Sequence, residues 1–384
     1  MDYIAQFKKE VTLILLSAGD SVRFSQDKLP KKQWLRIGNL PLWRYLVDVF
    51  RGFGFDQIFV MVSRDEYFYA QNFYENVFEG GQSRTQSILN ALKLVQTEYV
   101  MFHDVARFHP QNDVIQALLE KGYRHRDLAC IAPRMRVADT LYCEDGSYPK
   151  REDYWMIQTP QLSKASLLHQ AMSRGEFSDE SSAMSAFGKS VAYVEGSSLL
   201  HKLTYSSDLF FVAQTLPLAS DETFVGGGVD IHGFEEGKQM VLCGVEIEDP
   251  RGFEAHSDGD VGIHSVIDAC LGAIGGGDIG EWFPDHDMQY HQADSKILLQ
   301  KIGKFINDVG YEVINLDLTI LAQSPKISPY KQQMREKLAS LLKIALHQVN
   351  IKATTGEGIG FVGREEGVCV LSHVSLRFKR WNEK

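Results

Sequence analysis

The chain has 384 residues, 44% hydrophobic and 23% charged, enough for two or three domains that each bury a core. Its formal charge of -10 argues against duplex nucleic acid as the main partner, because phosphate backbones are held by basic surfaces; small anionic substrates on local Lys and Arg clusters remain open. No apolar run approaches the ~20 residues that span a bilayer, and five scattered cysteines without a CxxC pair predict free thiols in a reducing cytoplasm.

Through the first half, short β-rich runs alternate with helical patterns. Residues 11–17, 57–63, 98–103 and 128–132 read as strands, and residues 42–51, 83–95 and 113–121 as helices between them. The first run is short and follows Lys8, Lys9 and Glu10, so it reads as a buried strand and not as a signal peptide. Strand–helix alternation predicts an α/β domain whose parallel sheet is covered on both faces, with ligands at the carboxyl ends of the strands.

Three segments of this half carry chemistry. SAGDSVRF puts a glycine turn after the first strand, followed by Arg23, Lys28, Lys31 and Lys32. Backbone N–H groups at such a turn approach a phosphate and the cations offset its charge, although a tight turn with solvated lysines would read the same way. GGQSRTQS makes a sharp turn at Gly80 and Gly81, lets Gln82 or Ser83 cap a helix, and sets Arg84 and Ser87 one turn apart. FHDVARF ends a strand on His103, Asp104 and Arg107; Asp104 is placed either to hold Mg²⁺ for a nucleoside triphosphate or to cap the next loop.

Around LPLASDETF the chain turns small and polar with no long linker, which places a boundary near residue 222 and gives domains 1–222 and 223–384. Beyond it, residues 262–274, 293–309 and 331–346 read as helices. GVDIHGF sets Asp230 and His232 two apart, so in a strand both side chains share one face. EAHSDGDVGIHSVIDA adds His256, Asp258 and Asp260 in a loop and His264 at a helix start. Two His and one Asp form a ligand set of open catalytic Zn²⁺ sites, where the fourth position takes water or substrate. GGGDIG satisfies GxGxxG but follows a helical pattern, so it is not a dinucleotide fingerprint. In IKATTGEGIGFVGREEG, a strand leads to a loop with Thr354, Thr355, Glu357 and Arg364, groups suited to a Mg²⁺-chelated diphosphate.

The first-half motifs SAGDSVR, KKQ, GGQSRTQS, HDVAR, ADT, TPQ, SDE and KLT, in this order, resemble the methylerythritol phosphate cytidylyltransferases of non-mevalonate isoprenoid synthesis. The resemblance implies a Rossmann-like nucleotidyltransferase fold. Ala18, Gly19, Arg84 and Ser87 would hold the cytidine nucleotide, Arg23 and Lys32 would stabilise charge on the α-phosphate, and Asp104 would sit by ribose and metal. Arg107, Asp139, Thr140, Arg151 and Lys202 would face methylerythritol phosphate, with Arg151 and Lys202 among the catalytic groups. The substrate phosphate attacks the α-phosphorus in line and pyrophosphate leaves, so positioning and cations carry the catalysis. The chain departs from the family pattern at Ser21, where a glycine is usual, at Gln82, often a carboxylate, and at Lys31 beside Lys32, which leaves open which lysine faces the phosphate.

The second-half motifs DIH, AHSDGD, HSVIDA, GDIGEWFPDHD, AQSPK and KATTGEGIGFVGREEG are similar to methylerythritol cyclodiphosphate synthase from Gly226 onward. That similarity implies an α+β domain, zinc on Asp230, His232 and His264, and Mg²⁺ or Mn²⁺ on Glu357. His256 and Ser257 would contact the substrate phosphates, and Asp278, Gly280, Phe283 and Asp285 would form the methylerythritol pocket. Ala322, Pro325, Lys326, Ile327, Ala353, Thr354 and Thr355, with Phe361 and Arg364 nearby, would bind the cytidine diphosphate end. The family forms trimers with sites between subunits, so a hexamer with dimeric transferase domains is conceivable, and Glu366 could belong to a subunit contact.

A sugar-nucleotide transferase with a non-catalytic oligomerisation domain, or a zinc phosphohydrolase with a binding module, are the alternatives that products would separate. No GxGxxGxV, VAIK or DFG occurs, so the kinase acting between the two implied steps is expected to be a separate protein.

Overall fold

The computed structural model describes residues 3–24, 29–255, 258–284 and 294–381. The chain forms two compact units, and the division falls between Leu218 and Ala219.

In the first unit, β1 (Val11–Leu16), β2 (Ile58–Val62), β3 (Val77–Glu79), β4 (Tyr99–Asp104), β5 (Cys130–Arg136), β6 (Trp155–Ile157), β7 (Gln161–Lys164) and β8 (Val191–Glu195) build one sheet. Its order is β8-β5-β7-β4-β1-β2-β3, with β6 paired to β5. The strands β3, β2, β1 and β4 are parallel, as the alternating pattern requires. The expectation of a wholly parallel sheet is corrected at β7, which lies antiparallel to both β4 and β5. Its four residues, QLSK, contain one large apolar side chain, so no periodicity marks it as a strand.

Helices α1 (Leu42–Gly52), α2 (Arg84–Leu92), α3 (Asn112–Arg124), α4 (Ala165–Met172) and α5 (Glu180–Ala186) accompany the sheet. On one face Ile14, Met61 and Phe102 pack with Ile88, Leu168, Met172 and Met184. On the other, Phe50 of α1 meets His103 edge-on at 5.1 Å. The strand order reverses at β1, whose neighbours are β2 on one side and β4 on the other. The carboxyl ends of β1 and β4 therefore border the crevice where sheets of this kind bind ligands.

In the second unit, β9 (Thr223–Glu236), β10 (Arg251–Phe253), β11 (Tyr311–Leu321), β12 (Val349–Thr354) and β13 (Gly367–Phe378) form a sheet of order β10-β9-β13-β11-β12. Only β11 and β12 run parallel. Helices α6 (Val261–Ile274), α7 (Ile279–Trp282), α8 (Ser295–Asp308) and α9 (Lys331–Leu342) pack around it. The glycine run in β9 brings α6 directly onto the strand: a Cβ at Gly226 would lie 2.0 Å from the Ala269 carbonyl oxygen, and one at Gly228 would lie 2.0 Å from that of Ser265. The opposite face of β9 exposes Val225 (64%), Val229 (56%) and Ile231 (53%), an apolar row with the two-residue period of a strand. The helix expected over 331–346 ends at Leu342, because Lys343 takes a left-handed φ of 57°.

No helix among the described residues is long and apolar enough to cross a membrane. All five cysteines are free thiols, with only Cys143 exposed.

Candidate active sites

At the end of β1, the turn through Ala18 and Gly19 runs against Gly80, where a Cβ would sit 2.6 Å from that of Ala18. Glycine at this position is a packing requirement. Ser83 caps α2 by accepting from the Gln86 N–H at 3.1 Å, and Ser87 Oγ accepts from the Gly81 N–H at 2.9 Å. The GGQSRTQS motif thus folds into a strand-to-helix turn that presents Arg84 to the end of β4. Ser21, which replaces a glycine of the family pattern, adopts a φ of 56°. Its Oγ donates to Gln33 Oε1 at 3.0 Å while Gln33 Nε2 donates to the Gly19 carbonyl at 2.9 Å. The side chain thereby ties the left-handed residue to the rest of the turn.

Asp104 ends β4 nearly buried. Its Oδ2 accepts from Lys202 Nζ at 2.7 Å and its Oδ1 accepts from Arg84 Nε at 3.3 Å. Its N–H donates to Thr159 Oγ1 at 3.1 Å. Burial alone would raise the Asp104 carboxyl; Arg84 and Lys202 outweigh burial and hold it below the usual carboxylate range. Behind Arg84 lies Glu180, fully buried, with Oε1 2.9 Å from Arg84 Nη2. Burial pushes the Glu180 carboxyl up to about 7 against the pull of Arg84. Lys32 faces the same cluster, and burial, followed by Lys202, lowers its ammonium pKa. Lys31 instead pairs with the buried Glu66 at 2.7 Å. The structure therefore sends the two adjacent lysines in different directions, Lys32 into the cationic group and Lys31 onto a structural carboxylate.

Arg23 is exposed within electrostatic reach of Lys32. Arg107 spends its guanidinium on the Leu200 carbonyl at 2.5 Å and the Ile157 carbonyl at 3.4 Å. Asp139, Thr140 and Arg151 lie in the exposed arm between β5 and β6, where Arg151 Nη1 donates to the Ala138 carbonyl at 2.6 Å. Gln82 is exposed at its turn, and Lys28 lies outside the described residues. Glu180 and Thr159 escape sequence reasoning as site residues, although the SDE and TPQ motifs contain them.

In the second unit, Asp230 and His232 share one face of β9, and His264 sits in the first turn of α6, which Asp260 caps through the Ile263 N–H at 2.9 Å. Asp230 Oδ2 is 3.0 Å from His232 Nε2 and 3.2 Å from His264 Nδ1. His232 Nδ1 lies 2.9 Å from the Glu254 carbonyl, which only accepts, so this nitrogen carries the proton and Nε2 carries the lone pair. Asp230 Oδ2 is buried and has no hydrogen-bond donor. The three ligand atoms lie within 4.8 Å of one another, the only such group among the described residues. Convergent lone pairs around a buried, unpartnered carboxylate oxygen fit a metal cation.

The register carries Asp230 opposite Val370 and Val370 opposite Ile320, so the metal ligands and the end of β11 lie at one end of the sheet. Leu321 pairs with Thr354 of β12, and the Ala322 N–H donates to the Thr354 carbonyl at 3.0 Å. Ala322, Pro325 and Ile327 are buried, Lys326, Thr354 and Thr355 are exposed, and Ala353 is half-buried. Thr355 Oγ1 donates to Glu357 Oε1 at 2.5 Å, on a loop closed by tight packing of Gly356 against Gly363. The half-buried Phe361 lies in the short helix Gly360–Gly363 that closes this loop, and Arg364 forms a bidentate pair with Glu366 at 2.8 and 3.2 Å. Three strand spacings, about 14 Å, separate β12 from β9. Asp278 caps α7 through the Glu281 N–H at 3.0 Å, Gly280 is exposed in that helix, and Phe283 is buried after it. His256, Ser257 and Asp285 lie outside the described residues.

An α/β unit with cations gathered at its sheet switch point, joined to a unit with three residues placed to hold a metal, defines a two-unit enzyme of phosphate chemistry. The family model for 2-C-methyl-D-erythritol 4-phosphate cytidylyltransferase matches residues 11–216, and that of the YgbB family matches residues 223–377. The chain is 44% identical to the bifunctional enzyme IspD/IspF of Wolinella succinogenes over 97% of this chain and 98% of that one, and 46% identical to that of Aliarcobacter butzleri over 98% and 100%. The solved structure of the bifunctional IspDF from Campylobacter jejuni superposes with a TM-score of 0.84 at 41% identity, covering 97% of this chain and all of the other. The chain belongs to the family of bifunctional IspD/IspF enzymes.

Proposed function

We propose that the chain catalyses two reactions of the methylerythritol phosphate route, with residues 1–222 as the cytidylyltransferase domain and 223–384 as the cyclodiphosphate synthase domain. In the first, methylerythritol 4-phosphate attacks the α-phosphorus of CTP, the bond to the β-phosphate oxygen breaks, and pyrophosphate leaves. The observation that carries this reading is the convergence of Lys32, Lys202 and Arg84 on Asp104 beside the Ala18–Gly19 turn. Lys32 and Lys202 neutralise the charge growing on the phosphate, with Arg23 at the entrance. Both Asp104 oxygens are engaged by cations, so Asp104 keeps Arg84 and Lys202 in place, and Mg²⁺ or Mn²⁺ would be carried by the triphosphate of CTP. Ser87 and the backbone at Gly19 and Gly81 line the nucleotide end.

The arm with Asp139, Thr140 and Arg151 projects from its own unit and reaches the methylerythritol phosphate end of a site in a second subunit. That arrangement requires a transferase dimer. The exposed row of Val225, Val229 and Ile231 supports a further association through the sheets of the second unit, and the trimer of the resembled synthase family is the form we propose for it.

In the second reaction, the 2-phosphate of the phosphorylated intermediate attacks the β-phosphorus, and CMP departs as the cyclic diphosphate closes. Asp230, His232 and His264 would hold Zn²⁺, which would supply Lewis-acid polarisation of a phosphate oxygen. Glu357 would hold Mg²⁺ or Mn²⁺, and the loop of Ala353, Thr354 and Thr355 with Ala322, Pro325, Lys326 and Ile327 receives the cytidine end. Asp278, Gly280 and Phe283 receive the methylerythritol part. The kinase that acts between the two reactions is a separate cytoplasmic protein in this reading. The test is direct: incubation with CTP and methylerythritol phosphate releases pyrophosphate, and the phosphorylated intermediate yields CMP with a cyclic product. Release of orthophosphate in place of a cyclic product would turn the second unit into a hydrolase.

A further inference from the structure

We infer that Ser295 and Asp258 are positioning residues that fix the metal-binding tautomer of His264, an inference that rests on the metal reading of the Asp230, His232 and His264 group. The argument is a donor count. Ser295, the first residue of α8, is fully buried. Its N–H donates to Asp258 Oδ2 at 3.0 Å, and its hydroxyl donates to Asp258 Oδ1. A carboxylate only accepts, so the single hydroxyl proton of Ser295 is committed to Asp258. The Ser295 oxygen, 2.9 Å from His264 Nε2, is then left as an acceptor, and Nε2 must carry the imidazole proton. His264 consequently presents the lone pair of Nδ1, the nitrogen 3.2 Å from Asp230 Oδ2.

The two histidines thus bind through opposite ring nitrogens, and each choice is imposed by an acceptor behind the ring. For His232 the acceptor is a backbone carbonyl, that of Glu254, which no side-chain change removes. For His264 it is a hydroxyl, which could equally donate. Asp258 is what prevents that, since its carboxylate takes both Ser295 protons. Without it, Ser295 could turn its proton toward Nε2 and allow the tautomer whose Nδ1 bears hydrogen and binds no metal. Partners of this kind are worth about 10–100-fold in metal affinity.

The experiment measures Zn²⁺ affinity of the full-length protein by competition with a chromophoric chelator. The variants are Ser295→Ala, Asp258→Asn, their double mutant and His264→Ala. Ser295→Ala and Asp258→Asn are each expected to weaken Zn²⁺ binding by about 10–100-fold. The double mutant is expected to lose no more than the weaker-binding single variant, because the two residues act in series. Pyrophosphate release by the first unit should stay at parental values, and any drop in the melting of the metal-free protein should be smaller than the loss of Zn²⁺ affinity. Affinity within twofold of the parent in both single variants overturns the inference, as do additive losses or an equal drop in metal-free melting. If His264→Ala binds Zn²⁺ as the parent does, the metal reading itself fails, a result distinguishable from failure of the relay.

Discussion

Lys202 Nζ meets Asp104 Oδ2 at 2.7 Å although 98 residues separate them in the chain. The contact closes a row of alternating charge, Glu180, Arg84, Asp104 and Lys202, across the ends of β4 and α2. A carboxylate flanked by two cations is held ionised, and it in turn keeps the cations aimed at one place without their repelling each other apart. Catalysis by fixed charge depends on such preorganisation, since the groups need not reorient as charge develops on the phosphate.

Replacing Lys202 by Met removes one of these cations and keeps most of its volume. We expect a loss of about 10²–10³ in the turnover of the first reaction, the scale for deleting one preorganised donor. Steady-state pyrophosphate release measures it, and the second reaction serves as internal control. A change below threefold would show that Lys202 supports Asp104 only.

His264→Ala, or zinc removal with a Zn²⁺-selective chelator in excess Mg²⁺, should abolish CMP release from the phosphorylated intermediate and leave pyrophosphate release intact. Metal analysis of the purified variant should show the loss of zinc. Loss of both activities would contradict two independent catalytic units.

His103, buried under Phe50 with Nε2 on the Arg107 carbonyl, has its imidazole pKa lowered from 6.5 to about 4 by burial. The unfolded chain takes up the proton near pH 6.5 and the folded chain only near pH 4, so stability is lost as pH falls through this window. The difference corresponds to about 3 kcal/mol once pH lies below both values. Thermal unfolding of the parent and of His103→Gln between pH 7 and 4 should therefore show a smaller acid-side decline in the variant. Parallel profiles would rule out His103 as a source of that decline.

The apolar row on β9 yields a prediction about assembly. A Val229→Lys, Ile231→Lys double variant places two charges on the exposed face of β9 and touches none of the metal ligands. Light scattering should report a smaller particle than the parent, with zinc still bound but CMP release reduced, because the proposed site is shared between subunits. An unchanged mass would mean that this face is not the contact.

Local pattern alone makes much of this protein legible. The β-rich runs at 11–17 and 57–63, the caps and turns of GGQSRTQS, and the two-residue spacing of Asp230 and His232 depend on neighbours in the chain, and a strand or helix forms at each. Asp230 and His232 are readable because the strand period puts them on one face, and His264 by its residue type, but the close packing of α6 on β9 is what brings His264 to them. The partners behind them are not readable. Asp258 and Ser295 are 37 residues apart, and nothing in ADSK or HSDGD announces that one serine is gripped by one carboxylate.

The same division holds in the first unit. Sequence determined the motifs, the strand-end position of Asp104 and the class of chemistry, since these follow from local backbone geometry and residue type. Tertiary structure alone decided that Lys32 joins the cationic group while Lys31 is taken by Glu66. It alone inserted β7 antiparallel between β4 and β5, and set a buried Glu180 behind Arg84. The physical reason is common to all three. Ion pairing and strand pairing are governed by distance and burial in the folded chain, and those arise from segments far apart in sequence, so no local pattern encodes them.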